Sequence, residues 1–309
     1  MYLGSTIKYI TQLLGKLDRR SPSIRSNEQL RVFFSDSLTV FGVVSLLLLV
    51  SLAIFGPMLA PYSYDEAQYQ DDELVRFQPP STEYLLGTTQ TGNDVFSRLI
   101  YGARPTAVIG FSTAAIVIAI ALAVGLTAGY LGGRVDESLM RLVDLLYGVP
   151  LIPAAIMFIT FYGMGFWSII LFMGIILWRG SSRVFRSEVM QLKQRPYVQV
   201  ARSFGGSRPY IVGRHIIPNM MGMIVLFFAL SVGLAVLISA GLAFLGLMNP
   251  FIPSWGIMLQ NAYNSGRMLE VWWWTFPPGI MISWLVLSTY LVGRGYERIQ
   301  EGKERGVQL

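Results

Sequence analysis

The chain has 309 residues, of which 53% are hydrophobic and only 14% are charged, and its mean hydropathy is +0.51. This composition is too apolar for a water-soluble domain of this length, so we expect most of the chain to lie in a lipid bilayer. With no cysteine and one histidine, His215, the sequence excludes disulfides, cysteine nucleophiles and multi-histidine metal sites. The net charge of +6 is typical of basic loops beside anionic lipid, and we do not expect nucleic-acid binding.

Six runs of the sequence are long and apolar enough for a membrane-spanning helix, which needs roughly 20 residues. They cover about 38–59, 106–131, 139–162, 166–178, 219–247 and 276–292. Pro150 and Pro153 predict a kink in the third run. Arg179 and Arg183 shorten the fourth run, which reaches Phe185 at most. The first run lacks a small-residue cleavage site, so we expect it to remain as an anchor. The sequence therefore predicts an all-α membrane protein with six transmembrane helices.

Basic residues predict the orientation of these spans. Six Lys and Arg residues precede the first run, and the loop 179–214 has eight with a single acid, Glu188. The segment 61–97 has one basic residue, Arg76, and seven acidic residues. Because loops rich in Lys and Arg stay in the cytoplasm, both termini are expected to be cytoplasmic.

These assignments divide the chain into five parts. They are a cytoplasmic segment 1–37, with a membrane-surface helix at about 2–17, the first span 38–60, an extracytoplasmic loop 61–98, a transmembrane core 99–292 with a cytoplasmic loop 186–218, and a cytoplasmic tail 293–309.

Few residues at membrane depth suggest chemistry. Asp144 is the one deep acid, and Arg141 lies one helical turn before it, which favours an ion pair or a polar tie to a neighbouring helix over catalysis. The glycines of the second run are predicted to be helix contact points: Gly125, Gly129, Gly132 and Gly133. The sequence has no G-x-x-x-x-G-K-[ST] motif, so we expect no nucleotide site of that kind, no catalytic residue and no metal site.

The basic loop carries its own helix signals. Pro196 begins a helix that continues to Phe204, and Gly205 with Gly206 ends it. Ser207 is expected to cap a second helix, which contains Pro209 and runs to Ile217 before Pro218 leads into the fifth span.

The first of these helices has a shared face formed by Val198, Ala201 and Arg202. A helix this short needs a surface to pack against. From these residues alone, that surface is equally the inner face of the same protein or a groove in a separate cytoplasmic protein.

Three stretches resemble one known family. The pattern Tyr197-Val-Gln-Val-Ala201-Arg202-x-x-Gly205-x-Ser207, followed by Arg214-His215-Ile-Ile-Pro218-Asn219, closely resembles the EAA motif of ABC-importer permeases, particularly the peptide and nickel subgroup. The stretch from Leu86-Gly87-Thr88 through Gly92-Asn-Asp94 to Arg98 and Arg104 is similar to the outer motif of the second permease subunit in that subgroup. Ala243-Phe-Leu-Gly-Leu247 and Pro253-Ser-Trp-Gly256 are similar to its fifth-span exit.

Two departures from the family pattern are clear. Gln199 and Val200 replace the acid and the first alanine of the EAA motif, and Thr89 and Asn93 replace the Asp and Arg of the outer motif. An outer ion pair is therefore expected to be absent or replaced by a hydrogen bond.

The resemblance implies a type I ABC importer permease fold and an importer of five parts. The partners would be a homologous permease subunit, two ATPases that bind ATP and Mg, and an extracytoplasmic substrate-binding protein. It assigns ATPase coupling to one set of residues: Tyr197, Val198, Gln199, Ala201, Arg202, Gly205, Ser207 and Pro218. It assigns a gate or binding-protein docking to another: Gly87, Gly92, Asp94, Arg98 and Arg104.

The resemblance leaves the cargo open. Di- or oligopeptides are the expected cargo, with oligosaccharides or nickel as alternatives. The alternative class of protein is a membrane-embedded enzyme or a passive channel. The acidic segment 61–97 either docks the binding protein or caps the permease pair. Trp272, Trp273 and Trp274 are expected to form part of an interfacial aromatic belt.

Overall fold

The computed structural model describes Phe33 and residues 36–307, with side chains as far as Tyr296. The expected surface helix at 2–17 and the side chains of the tail lie outside the described residues. In chain order the helices are α1 (Ser37–Leu59), α2 (Val95–Leu131), α3 (Gly133–Tyr147), α4 (Leu151–Tyr162), α5 (Phe166–Lys193), α6 (Pro196–Ser203), α7 (Arg208–Ile211), α8 (Ile217–Phe244), α9 (Trp255–Asn264) and α10 (Trp272–Val307). A small antiparallel hairpin, β1 (Tyr69–Gln70) and β2 (Glu73–Leu74), precedes α2.

Five helices of the described chain are long and apolar enough to cross a membrane: α1, α2, α5, the continuous stretch Arg208–Phe244, and α10. Helices α3 and α4 pass the same test only together, and they are bent by 89° at the break between them. The structure therefore has five candidate spans, or six if the bent pair is one span.

The break within the bent pair confirms the kink predicted from proline. Helix α3 ends at Tyr147 with Gly148 as its C-cap, and Pro150 stands before the first residue of α4 with extended backbone angles. Proline has no N–H to donate to the preceding turn, and the residue before it avoids helical angles. The predicted third span is consequently two helices and not one bent rod.

Helices α2 and α5 are longer than the apolar runs that predicted them. Helix α2 begins at Val95, well before residue 106, because the carboxylate of Asp94 caps it by accepting from the Ser97 N–H at 2.7 Å. Helix α5 continues to Lys193, beyond the apolar run, and its arginines are satisfied by contacts with α3. Helix α9 was not predicted.

The contact between α2 and α5 depends on small residues. A Cβ atom at Gly125 would lie 2.7 Å from the Cβ of Phe185, and one at Gly129 would lie 2.7 Å from the Arg186 carbonyl oxygen. The prediction of helix contact points is confirmed for these two glycines. It is wrong for Gly132 and Gly133, which have positive φ angles and form the turn into α3, and a Cβ atom at either would have no neighbour within 4 Å.

The helices define two ends of the molecule. We call the end that carries α6 and α7 the basic end, and the end that carries the segment 60–94 and α9 the acidic end. Helices α2 and α5 run parallel, so that Lys193 at the end of α5 reaches the carbonyl oxygen of Tyr130 at the end of α2, at 2.7 Å.

Candidate functional site

The turn after α6 is a Schellman motif, which confirms the helix signals of the sequence. Pro196 occupies the start of α6, and Gly205 has a φ of +82°. The Gly206 N–H donates to the Ala201 carbonyl at 3.0 Å, and the Gly205 N–H donates to the Arg202 carbonyl at 3.0 Å. No atom lies within 4 Å of a Cβ built at Gly205, so the requirement for glycine comes from the backbone angle alone.

Helix α6 is anchored to its own protein by one side chain. Val198 is fully buried, with 0% exposure. It belongs to an apolar cluster formed by the ends of α5 and α2, by α7 and by the start of α8: Tyr130, Phe185, Val189, Leu192, Ile211, Ile216 and Met220. Ala201 is partly buried and Arg202 is exposed, so they lie at the edge of the buried face. Of the two surfaces that the sequence left open for this helix, the inner face of the same protein is therefore one that it contacts.

The opposite face of the same element exposes apolar side chains. Phe204 is 88% exposed and Val200 is 54% exposed, and Tyr197 and Tyr210 are also exposed. An exposed apolar patch on a protein surface commonly marks a protein contact. The helix pair therefore has a buried anchor on one side and an apolar surface without a described partner on the other.

Aromatic rings connect α6 to α7. The ring of His215 lies 5.5 Å from that of Tyr210 and 6.3 Å from that of Tyr197, measured between centroids. The His215 Nε2 atom is buried and has no hydrogen-bond partner among the described residues. Burial raises the pKa of the Tyr197 phenol above its ordinary value.

The connection into α8 is continuous. A π-helical turn, Val212–Ile216, joins α7 to α8 and lies directly before Pro218, whose missing N–H interrupts the regular bonding pattern. Ser207 occupies the N-cap position of α7, but its side chain makes no capping hydrogen bond, so that part of the prediction is wrong. Helices α7 and α8 are therefore joined without an intervening loop.

Ion pairs join α3 to α5 at the basic end. Asp136 accepts two hydrogen bonds from Arg186, one of them at 2.6 Å from Nη2. Asp144 pairs with Arg183 of α5, and its expected partner Arg141 pairs instead with Glu137 at 3.8 Å. The polar tie to a neighbouring helix is thus confirmed and the pairing within α3 is wrong, because Arg183 reaches across from a packed helix while Arg141 points to its own preceding turn.

The outer motif folds the segment 60–94 onto the start of α2. Gly87 and Gly92 have φ angles of +65° and +74°. A Cβ at Gly87 would lie 2.3 Å from the Gln78 carbonyl oxygen, and one at Gly92 would lie 2.6 Å from Leu74. Asp94 is 2% exposed and serves as the N-cap of α2.

Arg98 links this segment to α2. Its guanidinium donates to Asn93 Oδ1 at 3.0 Å and to the Tyr64 hydroxyl at 2.9 Å, and it lies 4.6 Å from the centre of the Tyr64 ring. Asn93 therefore accepts a hydrogen bond at one of the positions where the sequence departs from the family pattern. The fifth residue of the motif, Arg104, does not join this group: it is exposed and lines a groove of about 520 Å³ between α1 and α2.

Aromatic side chains pack the acidic segment against α10. Trp274 is buried, and its ring lies 6.4 Å from that of Phe77. Trp272 is exposed, so an interfacial position remains open for it, whereas interior packing explains Trp274. Burial, followed by the charge of Glu83, raises the pKa of Tyr84 to about 12. The segment 60–94 is thus an ordered cap on the helix ends.

No group of three or more His, Cys, Asp or Glu side chains in the described part of the chain could hold a metal ion.

Two family models and several known proteins match this chain. Residues 121–301 match the model of the binding-protein-dependent transport system inner membrane component family, and residues 27–80 match the N-terminal transmembrane domain of oligopeptide transport permease C. The chain is 34% identical to the dipeptide transport system permease protein DppC of Bacillus subtilis (strain 168), over 87% of this chain and 83% of that protein. It is 31% identical to the oligopeptide transport system permease protein OppC of the same organism, over 94% of this chain and 93% of that protein. It is 30% identical to a probable D,D-dipeptide transport system permease protein, DdpC, of Escherichia coli (strain K12), over 88% of this chain and 89% of that protein.

Proposed function

Because the chain belongs to the family of binding-protein-dependent transport system inner membrane components, and is a transport subunit and not an enzyme, we propose that it forms half of the pathway of an ATP-driven peptide importer. Its partners would be a homologous permease subunit, two ATPases that bind ATP and Mg, and an external substrate-binding protein. In this arrangement the basic end, with both termini, faces the cytoplasm, and the chain contains six spans with the bent pair α3 and α4 counted as one.

The observation that carries this proposal is the two-sided character of α6. One side is held by Val198 within the cluster of α5 and α8, and the other side presents Val200 and Phe204 to solvent. A helix that only packs on its own protein has no need of an exposed apolar side. We assign the exposed side to a groove in a partner ATPase.

Coupling then follows from the packing. ATP binding brings the two ATPases together and displaces α6, and the Val198 cluster passes the displacement to the ends of α5 and α8. The partners bias a two-state arrangement of the spans, one state open to the outside and one open to the cytoplasm, by binding its two forms with different affinity. The Schellman turn keeps α6 and α7 at a fixed angle while they move.

Peptide is the proposed cargo because several of the relatives named above carry peptides. The apolar composition of the spans favours an organic cargo over bare metal ions, which need several oxygen or nitrogen ligands. Selection among peptides would lie mainly with the binding protein, and the ordered segment 60–94 is its proposed docking surface.

The experiment uses the complete complex, co-expressed and reconstituted in lipid, with Gly205→Val. Valine at a φ of +82° is strained by at least about 1–2 kcal/mol, so the turn should distort and uncouple ATP hydrolysis from binding-protein addition. Gly241→Val is the matched control, since a Cβ atom at Gly241 would have no neighbour within 4 Å, and Gly241 has no positive φ angle and lies outside the turns that join α6, α7 and α8. Stimulated hydrolysis that is equal in both variants and the unaltered complex would overturn the coupling role of α6.

A further inference from the structure

A groove at the basic end brings three cations together. It has a volume of about 420 Å³ and lies where α2 and α5 end beside α6 and α7. Its walls include the cations Lys193, Arg202 and Arg208 and the apolar residues Leu131 and Ile211, with Tyr130 between them. The Lys193 ammonium lies 5.6 Å, and the Arg202 guanidinium 6.0 Å, from the centre of the Tyr130 ring.

These cations differ from Arg183 and Arg186 of the same end. Arg183 and Arg186 pair with carboxylates of α3, whereas no ion pair among the described residues includes Lys193, Arg202 or Arg208. Lys193 donates to the Tyr130 carbonyl at the end of α2. The partial negative charge of a helix end is about half an elementary charge, which offsets only a fraction of three positive charges. The walls of the groove therefore carry an excess of positive charge.

The walls also indicate what kind of anion fits. Leu131 is 44% exposed at the last turn of α2, where that apolar helix ends. A second groove of about 310 Å³ shares Lys193 and Arg202 and includes Met190, which is also exposed. Cationic and exposed apolar side chains thus alternate at the level where the spans end. This combination suits a molecule with a phosphate at one end and hydrocarbon at the other.

We propose that this groove binds the phosphate of an anionic phospholipid. The phosphate oxygens accept hydrogen bonds from Lys193, Arg202 and Arg208, and the glycerol and upper acyl chain lie against Leu131. The bound lipid connects the ends of α2 and α5 to α6. Its binding does not depend on the proposed transport function, but one consequence rests on that function: coupling through α6 would require anionic lipid.

The test measures lipid retained by the full chain. Chain purified from vesicles of equal parts phosphatidylglycerol and phosphatidylcholine is analysed by native mass spectrometry, and the bound phosphatidylglycerol is counted. The triple variant Lys193→Gln, Arg202→Gln, Arg208→Gln should bind phosphatidylglycerol on the order of 100-fold more weakly, since each surface cation contributes roughly fivefold. The matched control removes three exposed cations outside the groove, Arg134→Gln, Arg141→Gln, Arg214→Gln, and should retain as much as the unaltered chain.

A second variant guards against misfolding of the first. Leu131→Glu keeps all three cations and places a carboxylate at the edge of the groove, so it should also lose phosphatidylglycerol. Equal retention by the unaltered chain and Leu131→Glu would overturn the proposal, as would equal losses in the triple variant and its control.

Two further arms distinguish other anions. Inorganic phosphate added to the chain in phosphatidylcholine alone should not raise its unfolding temperature. A rise equal to that produced by phosphatidylglycerol would overturn the proposal in favour of a free anion as the ligand. In the assembled complex, loss of the ATPases from the triple variant with unchanged phosphatidylglycerol would overturn the proposal in favour of acidic side chains of a partner protein. The consequence for coupling is tested with the complex in phosphatidylcholine alone, where ATPase coupling should be reduced. Unchanged coupling there, while the chain still binds phosphatidylglycerol in mixed vesicles, would leave the lipid site intact and argue against the proposed coupling.

Discussion

The indole N–H of Trp255 donates to the carbonyl oxygen of Leu99 at 2.9 Å, across 156 positions of the sequence. Trp255 opens α9 and is 1% exposed, and its ring leaves no room for a side chain at Gly102, where a Cβ would lie 2.8 Å from Cδ1. This contact fastens α9 to the start of α2 at the acidic end.

Replacing Trp255 separates its hydrogen bond from its bulk. Trp255→Phe removes the donor and should lower the free energy of unfolding by about 1–2 kcal/mol. Trp255→Ala also leaves a cavity and should cost about 3–5 kcal/mol. Thermal unfolding in detergent measures both, with Trp272→Phe and Trp272→Ala as exposed controls. Equal effects of alanine at the two positions would contradict the described packing.

Gly125 and Gly241 provide a matched pair of helix glycines. A Cβ at Gly125 would lie 2.9 Å from the Ser182 carbonyl oxygen, whereas one at Gly241 has no neighbour within 4 Å. Gly125→Ala should therefore destabilise by about 1–3 kcal/mol through overpacking. Gly241→Ala should be neutral or stabilising, since alanine favours helix by about 1 kcal/mol. Relative to the unaltered chain, the unfolding temperature should fall for Gly125→Ala and should stay equal or rise for Gly241→Ala.

The pair Arg186 and Asp136 should show energetic coupling between α5 and α3. Both side chains are partly shielded, at 31% and 15% exposure, and the contact is bidentate. A double-mutant cycle of Arg186→Gln and Asp136→Asn should give about 1–2 kcal/mol. The same cycle on the exposed pair Arg141 and Glu137 should give less than about 0.5 kcal/mol. A larger coupling energy for the exposed pair than for Arg186 and Asp136 would contradict this prediction.

Val198 and Val200 test the two sides of α6 with one substitution. Val198→Ala should lower the unfolding temperature of the isolated permease, because its methyl groups fill the buried cluster. Val200→Ala should leave that temperature unchanged and reduce the yield of ATPases that co-purify with a tagged chain. The reverse pattern would mean that α6 is inverted relative to its described orientation.

Arg98 should control protease access to the acidic segment. Arg76 is exposed and is the one basic residue within 61–97, so trypsin cleavage after it reports local opening. Arg98→Gln removes the guanidinium that donates hydrogen bonds to Asn93 and Tyr64, so cleavage at Arg76 should be faster. Arg104→Gln, which lies outside this network, is the control and should cleave at the original rate.

Local signals in the sequence predict local structure well in this chain. Pro196 and Gly205 alone place the start and the end of α6, because one residue fixes φ and the other supplies a positive φ. Hydropathy located every long apolar helix, yet it misplaced the start of α2, since Arg104 and Pro105 interrupt the apolar run without interrupting the helix. The Asp94 cap was the available signal for the true start.

Long-range partners could not be read in the same way. The spacing of Asp144 and Arg141 suggested a pair within one helix, but the choice between Arg141 and Arg183 depends on how α3 packs against α5. The outer motif was recognised by resemblance, and only the fold shows that Asp94 and Arg98 are buried within the cap while Arg104 faces a groove. The three-cation groove joins four separate helices and has no contiguous pattern in the sequence.

The sharp bend between α3 and α4 has a consequence for how the protein is made. Helix α4 has 12 residues and is about 18 Å long, which is too short to cross a hydrocarbon core of about 30 Å by itself. Its buried residues, Ala155 and Ile159, pack in a cluster dominated by α5, which is synthesised after it. We therefore expect the nascent α4 to stay beside the insertion machinery until α5 emerges, so that the two neighbouring helices insert together.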